Sequence, residues 1–439
     1  MGSTKIDSGV CMKHKQLHLV MSALFALTAT GVWAAGEADT IPASSRAVPN
    51  SANVLPGNVF ESGGVPVAAG RSQQALKVAD GLNVYADAQA STGYDSNVTM
   101  AGKGSEPGSA FYRIRPTVTA ETRYREDRYT LGYKGDFVHY PNFDPNSLAQ
   151  NDVIFQAQNV FSSRAAMAWG ASSGDHYDPI GSTDRSIGNQ TADHYRSKAV
   201  SATFRYGAEE AAGRVEMDAG WGSKRYQNNR ATTESADVDN TNVGARFYYR
   251  VMPKTRLIAE YRRTYFDYTN DTSLLSNDDT RYLLGLSWDA SAAVTGTIKA
   301  GQQQKNFDTS IRQDYLGPTW EASVRWKPLS YSSFDLMGGR SANDPDGFTG
   351  VPIAKSVSLG WNHDWKSYLH SKLSAGKLDT NYRNTNRKDD EYVYSAALMY
   401  DVRRWLGVGL EYTFSHRDST VDTYDYVRRL SMLKVEASF

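Results

Sequence analysis

From Leu82 to the end of the chain, apolar and polar residues alternate with a period of two, in segments of about 10 to 15 residues. In "RVEMDAGW", Val215, Met217, Ala219 and Trp221 interleave with Arg214, Glu216, Asp218 and Gly220. "YRIRPTVTAETRY", "WEASVRWK" and "WLGVGLEYTF" repeat the pattern, as does the closing "VRRLSMLKVEASF", where Leu433, Val435, Ala437 and Phe439 flank Lys434 and Glu436. Successive strand side chains point to opposite faces, so each segment predicts a β-strand with one apolar and one wet face.

The connections sharpen this. Short ones ("YREDR", "VMPKT", "KPLSY", "DVRRW" among them) alternate with long polar ones near 95–109, 141–149, 178–192, 227–236, 269–277, 308–314, 342–353, 380–389 and 416–424. Nine long loops interleaved with eight short turns predict about 18 strands, with both chain ends on the short-turn side. The expected fold is an all-β, transmembrane, antiparallel up-and-down β-barrel over 82–439, with its apolar face in lipid. A soluble propeller or solenoid would need a fixed repeat signature, which the chain lacks. Tyr94, Tyr124, Tyr129, Tyr140, Trp221, Trp288, Trp326, Trp361 and Trp405 are the expected interfacial aromatics.

Composition agrees. Mean hydropathy is −0.54, and past the N-terminus no apolar run approaches the length of a membrane helix. Basic and acidic residues number 48 each, so no basic excess points to nucleic acid. Lys13, His14 and Lys15, the run "LHLVMSALFALTATGV" and the small-residue site ending at Ala34 read as a secretory signal over 1–34, with 1–11 an upstream extension and Met12 an alternative start. Cys11, the only cysteine, leaves with it. Residues 35–81 are rich in Ala, Ser, Pro and Gly and are expected to be a disordered periplasmic segment, with a short helical patch allowed around "SQQALKVAD".

If the apolar face meets lipid, its alternates line the lumen. Candidate solute-facing residues are Arg113, Arg115, Arg123, Arg214, Arg246, Arg250, Arg256, Arg262, Arg325 and Arg428. With five more inward basic residues they outnumber nine inward acids, which predicts a moderately positive channel. About half of these charges are expected to pair across strands. Tyr85 and Tyr248 are inward aromatics suited to stacking on sugar rings. The long loops lean acidic, and those acids are expected to be solvated. His176, Asp178 and His194 flank one loop and are candidate metal ligands, but their spacing is not a metal motif, and "NDPDG" at 343–347 lacks the spacing of a calcium loop. No catalytic constellation, metal site or cofactor is expected.

"YDSNVTM" at 94–100, the segment "RIRPTVTAETRYREDRYTLGYKGDFVHY" and the closing "YDYVRRLSMLKVEASF" resemble an outer-membrane β-barrel porin family encoded in exopolysaccharide and capsule clusters of Gram-negative bacteria. The resemblance implies an outer-membrane pore for exopolysaccharide export, working with a periplasmic polysaccharide-export protein. A general or oligosaccharide-uptake porin is the alternative. Expected partners are outer-membrane lipid and lipopolysaccharide, the polysaccharide or oligosaccharide solute, and the barrel-assembly machinery, for which Leu433, Val435, Ala437 and Phe439 resemble the targeting signal.

Overall fold

The computed structural model describes residues 76–438, apart from 80, 292 and 345–349. The leader 1–34, most of 35–81, and Phe439 therefore lie outside the described residues. The strands are β1 (Leu76–Ala79), β2 (Leu82–Asp95), β3 (Ser109–Tyr124), β4 (Asp127–His139), β5 (Leu148–Ser162) and β6 (Ala165–Asp178). Next come β7 (Asp193–Tyr206), β8 (Gly213–Tyr226), β9 (Val238–Met252), β10 (Thr255–Tyr268), β11 (Asn277–Ser291) and β12 (Val294–Phe307). The last are β13 (Tyr315–Leu329), β14 (Ser332–Ala342), β15 (Pro352–Lys366), β16 (Leu369–Tyr382), β17 (Lys388–Arg403), β18 (Leu406–Ser419) and β19 (Tyr426–Ser438).

Strands β2 to β19 pair antiparallel with their sequence neighbours, and β19 pairs β2 from Leu430–Asp95 to Ser438–Asp87. That last ladder closes an 18-strand barrel, so the wall's backbone groups pair between neighbouring strands rather than facing lipid along a free sheet edge. Beyond the Ser438–Asp87 pair, β1 takes over the same edge of β2 through Leu76–Val84 and Lys77–Asn83. An edge that would otherwise offer unpaired amides is covered. The helical turn allowed over "SQQALKVAD" is thus corrected for Leu76–Ala79, which is extended because β2 supplies a free edge there. Gly93 sits at the seam where a Cβ would collide with the Ser431 carbonyl, so only glycine lets the two ends of the chain approach this closely.

The strands run mostly 13 to 16 residues, whereas about 9 to 11 tilted residues cross the hydrocarbon. They therefore project beyond it, and the outward charged pairs Arg196–Asp175, Arg263–Asp278 and Lys377–Asp390 all sit toward the long-loop ends. Below them the outward face carries exposed Ile114, Leu131, Val153, Val200, Val243, Leu284, Ile298, Leu359, Leu398 and Leu433. At the short-turn ends Tyr124, Phe161, Tyr206, Trp326, Trp365, Tyr400 and Trp405 are exposed outward, as an aromatic girdle is. Tyr140 is a correction: it is 6% exposed and packs with Val98, Phe111, Val138, Leu148, Leu430 and Met432 beneath the loops.

Candidate functional site: a charged lumen between two unlike mouths

Register fixes what lines the interior. Arg205 faces Glu216, Glu216 faces Arg246, and Arg246 faces Glu260 on four successive strands, so one period-2 set from each segment shares the inner wall. All ten candidate arginines belong to that set, as do Tyr85 and Tyr248. Their surroundings differ from the expectation that half would be paired, because every one of the ten is held. Arg113 and Arg115 share Asp136 at 2.8 and 3.0 Å, and Arg123 meets Glu121 at 2.9 Å. Arg214 reaches Glu216 at 3.4 Å, and Arg246 meets Asp218 at 3.0 Å. Arg325 pairs with Asp335, and Arg428 grips Asp95 across the closing seam. Arg250 pairs with Glu210, and Arg256 donates to the backbone carbonyl of Glu209.

The pairs merge into a belt. Arg262 joins Glu260 to Glu321, Lys299 joins the same two acids at 2.8 Å each, and Arg281 joins Glu321 to Asp279. Lys305 extends the chain from Asp279 to Asp344, with its own side chain 1% exposed. Removing one partner from such a buried pair leaves an uncompensated charge, so the belt rigidifies the wall. Lys299, Arg281 and Lys305 were not among the sequence candidates, although the alternation of β11 and β12 would have placed them inward. Tyr248 offers no free stacking face, since the Arg214 guanidinium lies over its ring at 4.4 Å and its hydroxyl donates to Glu216.

The two mouths diverge. At the long-loop end, Asn146 donates to the Val98 carbonyl and accepts from the Ile180 amide, tying three loops together. Gly181 passes so close to the Thr99 carbonyl that a Cβ would not fit, at a φ of +81°. The loop between β6 and β7 then continues to Arg387, whose guanidinium pairs with Asp184 at 2.8 Å and with Asp389. The rings of Tyr382 and Tyr424 flank it at 4.2 and 3.4 Å. Counted around the barrel, the hairpin carrying Asp184 and the hairpin carrying Arg387 stand eight strands apart of eighteen, on nearly opposite rims. This loop therefore spans the mouth as a strap. Burial opposes the charge on Arg387, but its hydrogen bond to Asp389 prevails and makes the group more basic than an ordinary arginine.

Elsewhere on the same rim, Arg383 stacks on Tyr315 and donates to the Asp314 carbonyl, while Asp344 turns inward onto Lys305 and Asn277. The loop acids Asp178, Asp184 and Asp344 are thus structural ties, which corrects the expectation that they are solvated. His176 faces inward onto Asp152, whereas His194 faces outward onto Asp175, so strand parity separates the candidate metal ligands. Among the described residues no cluster of three or more His, Cys, Asp or Glu forms a metal site. Toward the short turns the inward side chains vary: Lys372 is exposed and Met337 is 39% exposed, whereas Ala166, Tyr248 and Ile258 are buried.

A closed 18-strand barrel with an apolar exterior, a charged interior and long loops on one rim defines an outer-membrane β-barrel of the porin or channel class. The chain belongs to the family described as "Putative beta-barrel porin 2", whose model matches residues 82–439. None of the curated proteins matches it. Among solved structures, OccAB3 of Acinetobacter baumannii is similar at 10% identity and a TM-score of 0.45, over 81% of this chain and 99% of that one. The siderophore receptor PirA of Acinetobacter baumannii is similar at 7% identity and a TM-score of 0.43, over 81% and 80%. A bacterial polysaccharide outer membrane secretin is similar at 10% identity and a TM-score of 0.36, over 81% and 97%. These likenesses carry no argument about what the chain transports.

Proposed function

We propose that this barrel is the outer-membrane exit for an exopolysaccharide. The observation that carries the reading is the strap from Asp184 to Arg387, which bridges the long-loop mouth of the lumen. Short turns lie on the periplasmic side in barrels of this class. A polymer arriving from the periplasm meets the charged wall first and the bridged exit last, which favours outward passage of a threaded chain. The charged and hydroxyl-bearing wall gives weak, repeated contacts along which a sugar chain slides.

In this reading a cleaved signal, residues 1–34, directs export across the inner membrane. Residues 35–81 serve as a periplasmic segment that tethers a periplasmic polysaccharide-export protein. Lipopolysaccharide surrounds the upper wall. Leu433, Val435, Ala437 and Phe439 serve as the signal for the barrel-assembly machinery. The arginines held by buried acids act as wall ties, and all ten set the field felt by the passing chain. The test is deletion of the gene in the native bacterium with an assay of surface and secreted polysaccharide: loss of surface polymer with accumulation in the periplasm is expected, and normal secretion contradicts the proposal.

A further inference from the structure

Eight of the ten inward arginines meet a carboxylate that is no more than 35% exposed. Arg250 and Arg256 do not. They stand directly opposite each other on β9 and β10, on the inner face at the short-turn rim. Like charges in facing positions repel unless an anion lies between or beside them. The acid on Arg250 is Glu210, at 2.7 Å but 88% exposed. Arg256 is held by the neutral backbone carbonyl of Glu209. Both acceptors come from the turn 207–212 between β7 and β8, which is docked beneath β9 by a bond from the Arg250 amide to the Ala212 carbonyl. Arg214 stands next to them on β8, its guanidinium over Tyr248.

We infer that Arg250 and Arg256 form an anion-binding entry site for a glycan that carries carboxylates, with Glu210 as the resident anion that the incoming sugar displaces. This rests on the export reading and names its substrate class. An exposed carboxylate paired with an arginine contributes little and exchanges readily. Two guanidinium forks on facing strands match a carboxylate bidentately, and two of them match successive acidic residues of a polymer. The belt arginines further up the wall are held by buried acids and cannot make the same exchange.

The experiment uses the full-length barrel in planar bilayers, with oligogalacturonate as the acidic probe and a malto-oligosaccharide of equal length as the neutral one. Acidic oligomer added on the short-turn side should block current at concentrations at least tenfold lower than neutral oligomer. Arg250→Gln with Arg256→Gln should weaken that block at least tenfold and leave the neutral block unchanged. Glu210→Gln should strengthen it severalfold. Retention of the acidic block in the double Gln variant, or equal block by the neutral sugar, overturns the site. If the folding of the double Gln variant is compromised, Arg250→Lys with Arg256→Lys, which keeps charge but loses the fork, should show an intermediate block; block equal to wild type there also overturns it. Normal polysaccharide secretion in the gene deletion strikes the export reading and leaves this measurement standing.

Discussion

The two ends of this barrel are built from the same kinds of residue and behave as opposites. At the long-loop mouth, Arg387 is 4% exposed, pairs with Asp184 and Asp389, and is flanked by Tyr382 and Tyr424. At the short-turn rim, Arg250 pairs with an acid that is 88% exposed, and Arg256 with a carbonyl. An arginine buried against carboxylates is part of the framework, whereas an arginine with a solvated partner is available to a solute. Burial of the partner, rather than the presence of the charge, separates wall from site.

The largest expected effect is at the long-loop end of the seam. Arg428→Ala leaves Asp95, which is fully buried, without its cation, at a cost of about 3–5 kcal/mol. Urea unfolding of the refolded barrel should shift accordingly; a midpoint equal to wild type would show that this buried pair does not hold the seam. Tyr140→Phe is smaller. It removes one hydrogen bond to the same Asp95, at 3.3 Å, and should cost about 1 kcal/mol in the same assay while keeping the ring in its apolar cluster. The smallest effect is at the opposite rim: Arg250→Gln breaks a solvated pair and should change stability by no more than about 1 kcal/mol. A loss as large as that of Arg428→Ala would erase the distinction between the two ends.

Much of this was legible in the chain. Eighteen strands, nine long loops and the inward or outward parity of every candidate arginine follow from period-2 alternation, because closure leaves each strand only two faces. The girdle was legible at Tyr124, Trp326 and Trp405 and misread at Tyr140, whose apolar neighbours come from six other segments. Pair formation was underestimated because partners such as Arg262 and Glu321 are 59 residues apart. The strap left no local signal at all: Asp184 and Arg387 are 203 positions apart, and each looks like an ordinary loop charge. The strand Leu76–Ala79 was hidden for a related reason, since its conformation is set by the edge of β2 that the C-terminal strand leaves uncovered. Local pattern determines the wall, and long-range contact determines what the loops do above it.

The most direct test of a pore bridged at its outer mouth is the single-channel conductance of Arg387→Ala beside wild type. Without Arg387 the strap loses its anchor on the far rim, and Asp184 and Asp389 are left in a buried site without their shared cation. The expected result is a barrel that still inserts and refolds, with a larger and more frequently open conductance than wild type. A conductance and open probability indistinguishable from wild type, in a barrel that inserts equally well, would contradict it.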